Sequence, residues 1–585
     1  MIALGEPAES FDYIIVGGGS AGCVLANRLS ERSDLKILLL EAGPDVETFW
    51  MSVPAGLPFL YFDRRINWCF STRAEAELNG RQVYWPRGKV IGGSGAINGM
   101  LHTRGNREDF DDWAAMGAVG WAYDDVLPYF KKSETYGHGD SRWRGQSGPL
   151  VITQLPSQQP VTGLFLSALQ EIGVPLNPDF NGAEQYGAGY TQQTIAGGRR
   201  VTPANTYLRL ARHRSNLAIV PNAVARQIEF DGNRATGLTA IVDGEVRSFT
   251  AAREVLVAAG AIGSPHLLML SGLGDAAELG PLGRTVRADL PGVGKNLQDH
   301  LAINATFEVT PAFSMNRELS GWRKYLNGIK YVLSKTGPLS MGVAHAQAFV
   351  QGPVPSSRPD IQLSFRPWSF TFESSGALRV HDFPGIQISA QCVRPRSRGA
   401  VFLSPEAPEG PPVIHANYLS APDDLSMLKF GLATIRSIVN AASLSGIVEG
   451  EKMPGEAITG NEKVEDYIRA NAQSNFHPVG TCRMGTGRDA VVDSELRVLG
   501  ISGLRVVDAS VMPIITAGNT NAATVMIAEK AADMIMAAAG RQLTPPRNTG
   551  RLRCASFLAG LCMLNMLYAV QPLIQVDQER YHPQF

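Results

Sequence analysis

The stretch SNFHPVGTCRMG carries His477, and a later loop, GNTNAA, supplies Asn519 and Asn521. A neutral imidazole can take the proton of a hydroxyl, and an amide N–H can steady the oxyanion left behind, so this pairing suits chemistry on an alcohol. A single histidine proves little. The chain has ten, and by residue type alone His477 reads as structural, as do His102, His300, His345 and His415. Paired carboxylates are not prominent near these loops and no Gly-x-Ser-x-Gly elbow is present, which leaves hydrolase readings weak. The six cysteines (23, 69, 392, 482, 554 and 562) form no CxxC pair and no spacing suited to zinc or an iron–sulfur cluster, so no metal is expected.

Such side chains need a scaffold that holds a second reactant against the alcohol, and the N-terminus offers one. DYIIVGGGSAG (Asp12 to Gly22) is a short apolar strand that breaks into glycines and continues helically. Gly17 permits the tight turn, Gly19 lets the backbone approach a pyrophosphate, and Gly22 lets helix pack on strand. A helix starting near Ser20 aims free N–H groups and its positive dipole end at the phosphates. The run KILLLEAG then reads as a second parallel strand closed by Glu41, 19 residues after Gly22 (41 minus 22), whose carboxylate can accept ribose hydroxyls. An acid there argues against a 2′-phosphate and hence NADP. NAD and FAD both stay open.

A chain of 585 residues with 44% hydrophobic composition can bury a large core, in two or more structural units. A formal net charge of -1 gives no footprint for nucleic acid. Scattered cysteines fit a reducing compartment, and the first apolar run is short, lacks a basic leader and is already a strand, so a cytoplasmic protein is expected. The fold class expected is α/β: a discontinuous Rossmann-like nucleotide domain plus a substrate domain built on an antiparallel sheet. Residues 10–155, 201–300 and 471–540 would form the nucleotide domain, 156–200 a connecting and substrate region, and 301–470 the substrate domain, with a tail from 541 to 585. The run REVLVAAGAIGSPHLLMLSGLG (Arg253 to Gly274) could return to the first sheet, as could a strand at Leu504 to Val507 ahead of a helix from about Asn521. AINATFEV, DIQLSFRPWSF, GIQISAQCV and GAVFLS read as the antiparallel strands. The loop WPRGKVIGGSGAINGML places Gly92, Gly93, Ser94, Gly95 and Asn98 together, suited to a large flat ligand or to a tight interdomain turn.

Four blocks in order, GGGSAG, GKVIGGSGAIN, GAIGSPHLLMLSGLG, and HPVGTCRMG with GNTNAATVMIAEKAADMI, closely resemble the glucose–methanol–choline (GMC) oxidoreductase family over about residues 10 to 538. The chain is most similar to its bacterial choline and primary-alcohol dehydrogenases. That resemblance implies FAD rather than NAD, held by Gly17, Gly19, Gly22 and Glu41, with Val90, Gly93, Ser94, Asn98, Gly99, Met100 and Leu101 lining the flavin. Val224 would contact adenine, and Asp508 with Ala509 would meet the flavin end. It also implies oxidation of a small-molecule alcohol to the aldehyde: His477 takes the hydroxyl proton, Asn519 bonds the substrate oxygen, and hydride passes to flavin N5. Where some members tether FAD through histidine, this chain has Ile97, so no such bond is expected. Choline stays one substrate reading, and the electron acceptor stays open among oxygen, a quinone and another carrier. An NAD-dependent dehydrogenase and a non-catalytic flavin-binding partner protein are the competing readings.

Phe365, Trp368, Phe370 and Phe372 could wall a substrate or fill a core. In the tail, CASFLAGLCMLNMLYAV gives 17 uncharged residues from Cys554 to Val570 (570 minus 554, plus 1), preceded by Arg547, Arg551 and Arg553. It reads as a short membrane anchor with the body on the cytoplasmic face, as a helix packed on the body or a partner, or as a misjoined reading frame.

Overall fold

The computed structural model describes residues 9–155, 158–354, 356–372 and 378–542. The apolar run 554–570 lies outside the described residues. Residues up to Ala537 form one compact unit, and a second begins at Ala538. Among the described residues no helix is long and apolar enough to cross a membrane.

The chain opens with strand β1 (Glu9–Val16), helix α1 (Ser20–Leu29) and strand β2 (Ile37–Leu40), and contributes β3 (Gly187–Tyr190) much later. Then come β4 (Leu217–Val220), the meander β5 (Ala223–Asp231), β6 (Arg234–Val242) and β7 (Glu245–Val257), and helix α2 (Gly260–Leu270). Next are β8 (Leu301–Val309), helix α3 (Arg323–Ser334), β9 (Ala346–Val350), β10 (Ile361–Arg366) and β11 (Gly385–Cys392). Strands β12 (Val448–Met453), β13 (Gln473–Ser474) and β14 (Leu504–Val506) precede helix α4 (Asn521–Gln542).

Two seven-stranded sheets result. The first runs β4-β2-β1-β7-β6-β5, with β14 also paired to β7. Its parallel centre is buried on both faces, which is why Ile14 to Val16 and Ile37 to Leu40 are unbroken apolar runs. β7 joins the two halves of this sheet: along one edge it runs parallel to β1, while its other edge pairs antiparallel with β6 and, at Val255 to Val257, parallel with β14. Segments far apart in sequence thus share one sheet. Arg28 of α1 reinforces this, pairing with Glu529 and, at 2.8 Å, with Asp533 of α4, while Tyr207 Oη donates to Glu529 at 2.7 Å.

The second sheet runs β12-β8-β11-β10-β9-β3, with β13 also paired to β8, and every pairing in it is antiparallel. Three of the four segments read as its strands are there. The fourth, GAVFLS, is a correction: Ala400–Phe402 pairs with Val413–His415 in a separate ribbon, because Val401 N–H is taken by the Gly294 carbonyl at 2.7 Å.

Candidate active site

The first glycine loop is shaped by contact. Gly17 has φ +104°, and a Cβ on Gly22 would lie 1.9 Å from the Gly17 carbonyl oxygen, so α1 can only pack onto its turn with glycine there. A Cβ on Gly19 would meet nothing closer than Gly93 Cα at 4.0 Å, which brings the two glycine loops face to face and leaves room beside them. Ser20 Oγ donates to Asn521 Oδ1 at 2.8 Å, linking the N-terminal ends of α1 and α4.

Between the loops lies a cavity of about 1250 Å³, running from Gly17, Gly19 and Glu41 to His477 and Asn519. This exceeds the ~300–1,000 Å³ of an ordinary small-molecule pocket and leaves room for a dinucleotide plus a substrate. Gly93, Ser94, Asn98, Gly99, Met100, Leu101, Val224, Asp508 and Ala509 all line it. Two expected residues do not. Gly22 acts by letting the helix pack, and Val90 is fully buried in a small apolar cluster with Met51, Leu60, Ile66, Ala96 and Ile97. Its carbonyl accepts the Gly93 N–H at 2.7 Å, so Val90 shapes the loop from behind.

Glu41 accepts N–H bonds from Gly18 at 2.7 Å and Gly43 at 2.9 Å, and burial pushes its carboxyl up to about 7. Each oxygen keeps one acceptor site free for a ribose hydroxyl. Asp508 is more fully used by the protein. It accepts Gly260 N–H at 2.9 Å, Ser264 Oγ–H at 2.5 Å and Ser510 N–H at 2.8 Å, so its carboxylate anchors the start of α2 beside the cavity.

At the reactive end a chain of hydrogen bonds defines one tautomer. The Val393 carbonyl can only accept, so His300 Nε2, 3.0 Å away, carries the proton and donates. His300 Nδ1 is therefore an acceptor, and His477 Nδ1–H donates to it at 3.0 Å. His477 Nε2 is left unprotonated, and its lone pair accepts the Asn519 Nδ2–H at 3.0 Å. Burial and the neighbouring His300 and Arg87 hold His477 well below the usual imidazole range, and burial pushes His300 down to about 4. Both rings are neutral at pH 7. The backbone is fixed too, since His477 N–H donates to Asp299 Oδ1 at 2.6 Å while the other Asp299 oxygen accepts from Ser474 and Tyr418.

Asn519 Oδ1 is buried and has no partner. An orphaned acceptor beside an unprotonated imidazole, both on the cavity wall, is a site that wants a hydroxyl-bearing ligand. Asn521 is not part of this pair. Asp299 and His300 were not singled out from sequence, where His300 read as structural; the available signal was an acid and a histidine side by side in NLQDHL at the start of β8. His102 is structural, bonded to Glu134 at 2.9 Å within a buried cluster with Arg104 and Arg144. Of the aromatics, Phe365 is core, stacked on Phe165 at 4.5 Å, whereas Trp368 and Phe370 stack at 4.8 Å and line the cavity. The Phe372 side chain lies outside the described residues.

A doubly wound nucleotide sheet, an antiparallel sheet facing it, and a neutral histidine where a shared cavity ends define a dinucleotide-dependent oxidoreductase of alcohols. Family models described as GMC oxidoreductase match residues 11–302 and 395–528, and the chain belongs to that family. It is 40% identical over 528 residues to an oxygen-dependent choline dehydrogenase of Brucella anthropi, covering 90% of this chain and 95% of that one, and equally to one of Sinorhizobium fredii. Among solved structures it resembles pyridoxine 4-oxidase from Mesorbium loti (TM-score 0.81, 31% identity, 90% of this chain and 99% of that one). It also resembles a formate oxidase (TM-score 0.85, 26% identity, 92% and 100%). The cofactor is FAD, not NAD, and the protein is an enzyme acting on CH–OH groups.

Proposed function

We propose that His477 is the general base of alcohol oxidation and that Asn519 holds the substrate oxygen. The observation that carries this is the Val393–His300–His477 relay, which points an unprotonated Nε2 at the cavity. A substrate hydroxyl that displaces the 3.0 Å bond between Nε2 and the Asn519 amide gives its proton to Nε2. The amide N–H then bonds the oxygen as it gains charge. FAD, when bound, supplies the acceptor for the hydride that leaves the carbinol carbon with its electron pair. Gly17, Gly19, Glu41 and Val224 would hold its nucleotide half, with Gly93, Ser94, Asn98 to Leu101, Asp508 and Ala509 along the ring. The test is anaerobic: alcohols are mixed with yellow holoenzyme and bleaching is followed. Failure of every alcohol to reduce the flavin would overturn the reading. Varying oxygen and quinones afterwards identifies the electron acceptor.

We also propose that the body works at the cytoplasmic face of a membrane. The uncharged run 554–570 behind three arginines supports this, as does a second feature within the body. On α3, Tyr325, Leu326, Ile329, Val332 and Leu333 are exposed in one helical stripe among lysines, the composition of a surface that lies on lipid. Fractionation of the full chain and of a version ending at Gln542 tests the tail's part, and identical soluble behaviour would exclude a tail anchor.

A further inference from the structure

The antiparallel sheet presents opposite characters on its two faces. Along β10 and β11 every second residue (Leu363, Phe365, Ile386, Ile388) is buried in core, while the alternates, including Ser364, Arg366, Gln387 and Gln391, line the cavity. The cavity floor is therefore polar, and it carries one strong charge. Arg366 reaches Gln387 Oε1 at 3.3 Å and Asn304 Oδ1 at 3.4 Å, both through Nη1 and both long. Its Nε is enclosed with no acceptor, and among the described residues Nη2 makes no hydrogen bond and no carboxylate pairs with the guanidinium. The nearest ring is Phe370, 5.9 Å from Cζ.

Carboxylates do line the cavity, but on its nucleotide side: Glu41 and Asp508 are bonded as described, and Glu409 pairs with Arg226 and Arg284. Arg87 is a second cation on the substrate side, committed through Nη2 to the Phe476 carbonyl at 2.7 Å. Burial lowers Arg366 only to about 10, so it remains charged at neutral pH. A guanidinium held in a cavity, short of acceptors and without a counter-ion among the described residues, is a receptor for an anion.

Resting on the alcohol oxidation proposed above, we propose that Arg366 binds a carboxylate carried by the substrate, so that the preferred alcohols are hydroxy acids and quaternary-ammonium alcohols are disfavoured. The sheet sets a ruler. Gln391 contacts His300 and Gln387 contacts Arg366, four residues apart on β11, and Asn304 opposite Ser389 marks a point halfway between. At ~3.4 Å per residue the guanidinium lies roughly 7–14 Å along the strand from the base. That spacing selects an acid whose hydroxyl is at the far end of an alkyl chain. An apolar cavity of about 1130 Å³, walled in part by the exposed α3 residues Tyr325, Ile329, Val332 and Leu333, shares Pro58, Val343, Trp368 and Leu378 with the reaction cavity, and these four suit such a chain.

The test uses holoenzyme and anaerobic flavin reduction, with hydroxybutanoate, hydroxyhexanoate and hydroxyoctanoate (each hydroxylated at the end away from the acid), the matched n-alkanols, and choline. One charge-assisted contact predicts half-saturation by the best acid at about 10- to 100-fold lower concentration than by its alkanol. Arg366→Gln should abolish that ratio and Arg366→Lys restore part of it, with the FAD spectrum reporting that each variant is folded and loaded. Equal half-saturation of acids and alkanols in the wild type, an acid preference that survives Arg366→Gln, or choline outcompeting the acids would each overturn the proposal. Flavin reduction by alkanols in the same wild-type preparation keeps the two readings apart: if it occurs without acid preference, only the role of Arg366 fails.

Discussion

His300 and His477 meet Nδ1 to Nδ1 at 3.0 Å, with ring centroids 5.2 Å apart and planes at 88°. The pairing works in one direction because the Val393 carbonyl has already taken the His300 Nε2 proton. His477 must present its bare nitrogen to the cavity. A residue just ahead of β8 thereby decides the tautomer of one on the segment leading back to the nucleotide sheet.

Replacing His477 with Ala should leave FAD bound but slow anaerobic flavin reduction by about 10²- to 10⁴-fold, the usual contribution of a general base. Stopped-flow bleaching with a saturating alcohol measures it. Near-normal reduction would remove His477 from the role given to it.

Removing His300 tests positioning rather than chemistry. His300→Leu takes away the Nδ1 acceptor and one of the neighbours that hold His477 low. The rate constant for reduction should fall by about tenfold or more, while half-saturation moves less, because the base loses its orientation rather than the substrate its site.

The pH profile follows from sign. A base must be neutral, and His477 is shifted below 6.5, so reduction should be constant from pH 6.5 upward and fall only as acid reaches the lowered value. In His300→Leu the acid limb should move to higher pH. A wild-type profile that falls on going from pH 8 to pH 7 would contradict the neutral pair.

The nucleotide half was legible in sequence because its demands are local. A buried strand, three glycines with separate steric duties and an acid at a fixed distance all lie between Asp12 and Glu41, and α1 begins at Ser20 where free N–H groups were wanted. Strands Leu301–Val309, Ile361–Arg366 and Gly385–Cys392 were equally readable from alternation. What escaped was set by pairing across the chain. Nothing near His300 in sequence says that it will face His477, 177 residues on, and nothing near Ala400 says that Gly294 will draw its strand away from the sheet. Arg366 was hidden for another reason: nothing within DIQLSFRPWSF marks it out, and only the two-sheet architecture turns its face of the strand into a cavity floor.

Flavin attachment gives a direct chemical check. Position 97 is Ile97, buried and on the cavity wall, and offers no nucleophile to the ring. Acid precipitation of yellow holoenzyme should therefore leave the flavin in the supernatant and a colourless pellet. Colour retained in the denatured protein would show a bond through another residue.

The discontinuous nucleotide domain makes a stability prediction at Glu529. This carboxylate is 1% exposed and receives both Arg28 from α1 and Tyr207 Oη, so it joins residues from three distant parts of the chain. Glu529→Ala leaves the nearly buried Arg28 with Asp533 and, at 3.6 Å, Glu31, whose side chains are 38% and 48% exposed, and a guanidinium that loses its one buried counter-charge is costly. Breaking one side of such a pair removes about 3–5 kcal/mol. Thermal unfolding should show a Tm lowered by several degrees, and because α1 begins at the glycine loop, part of the loss should be recovered by excess FAD. Glu529→Gln keeps an acceptor for one partner but not the charge, so it should fall between Ala and wild type. An unchanged Tm in Glu529→Ala would mean that α1 and α4 are held together by their apolar contacts alone.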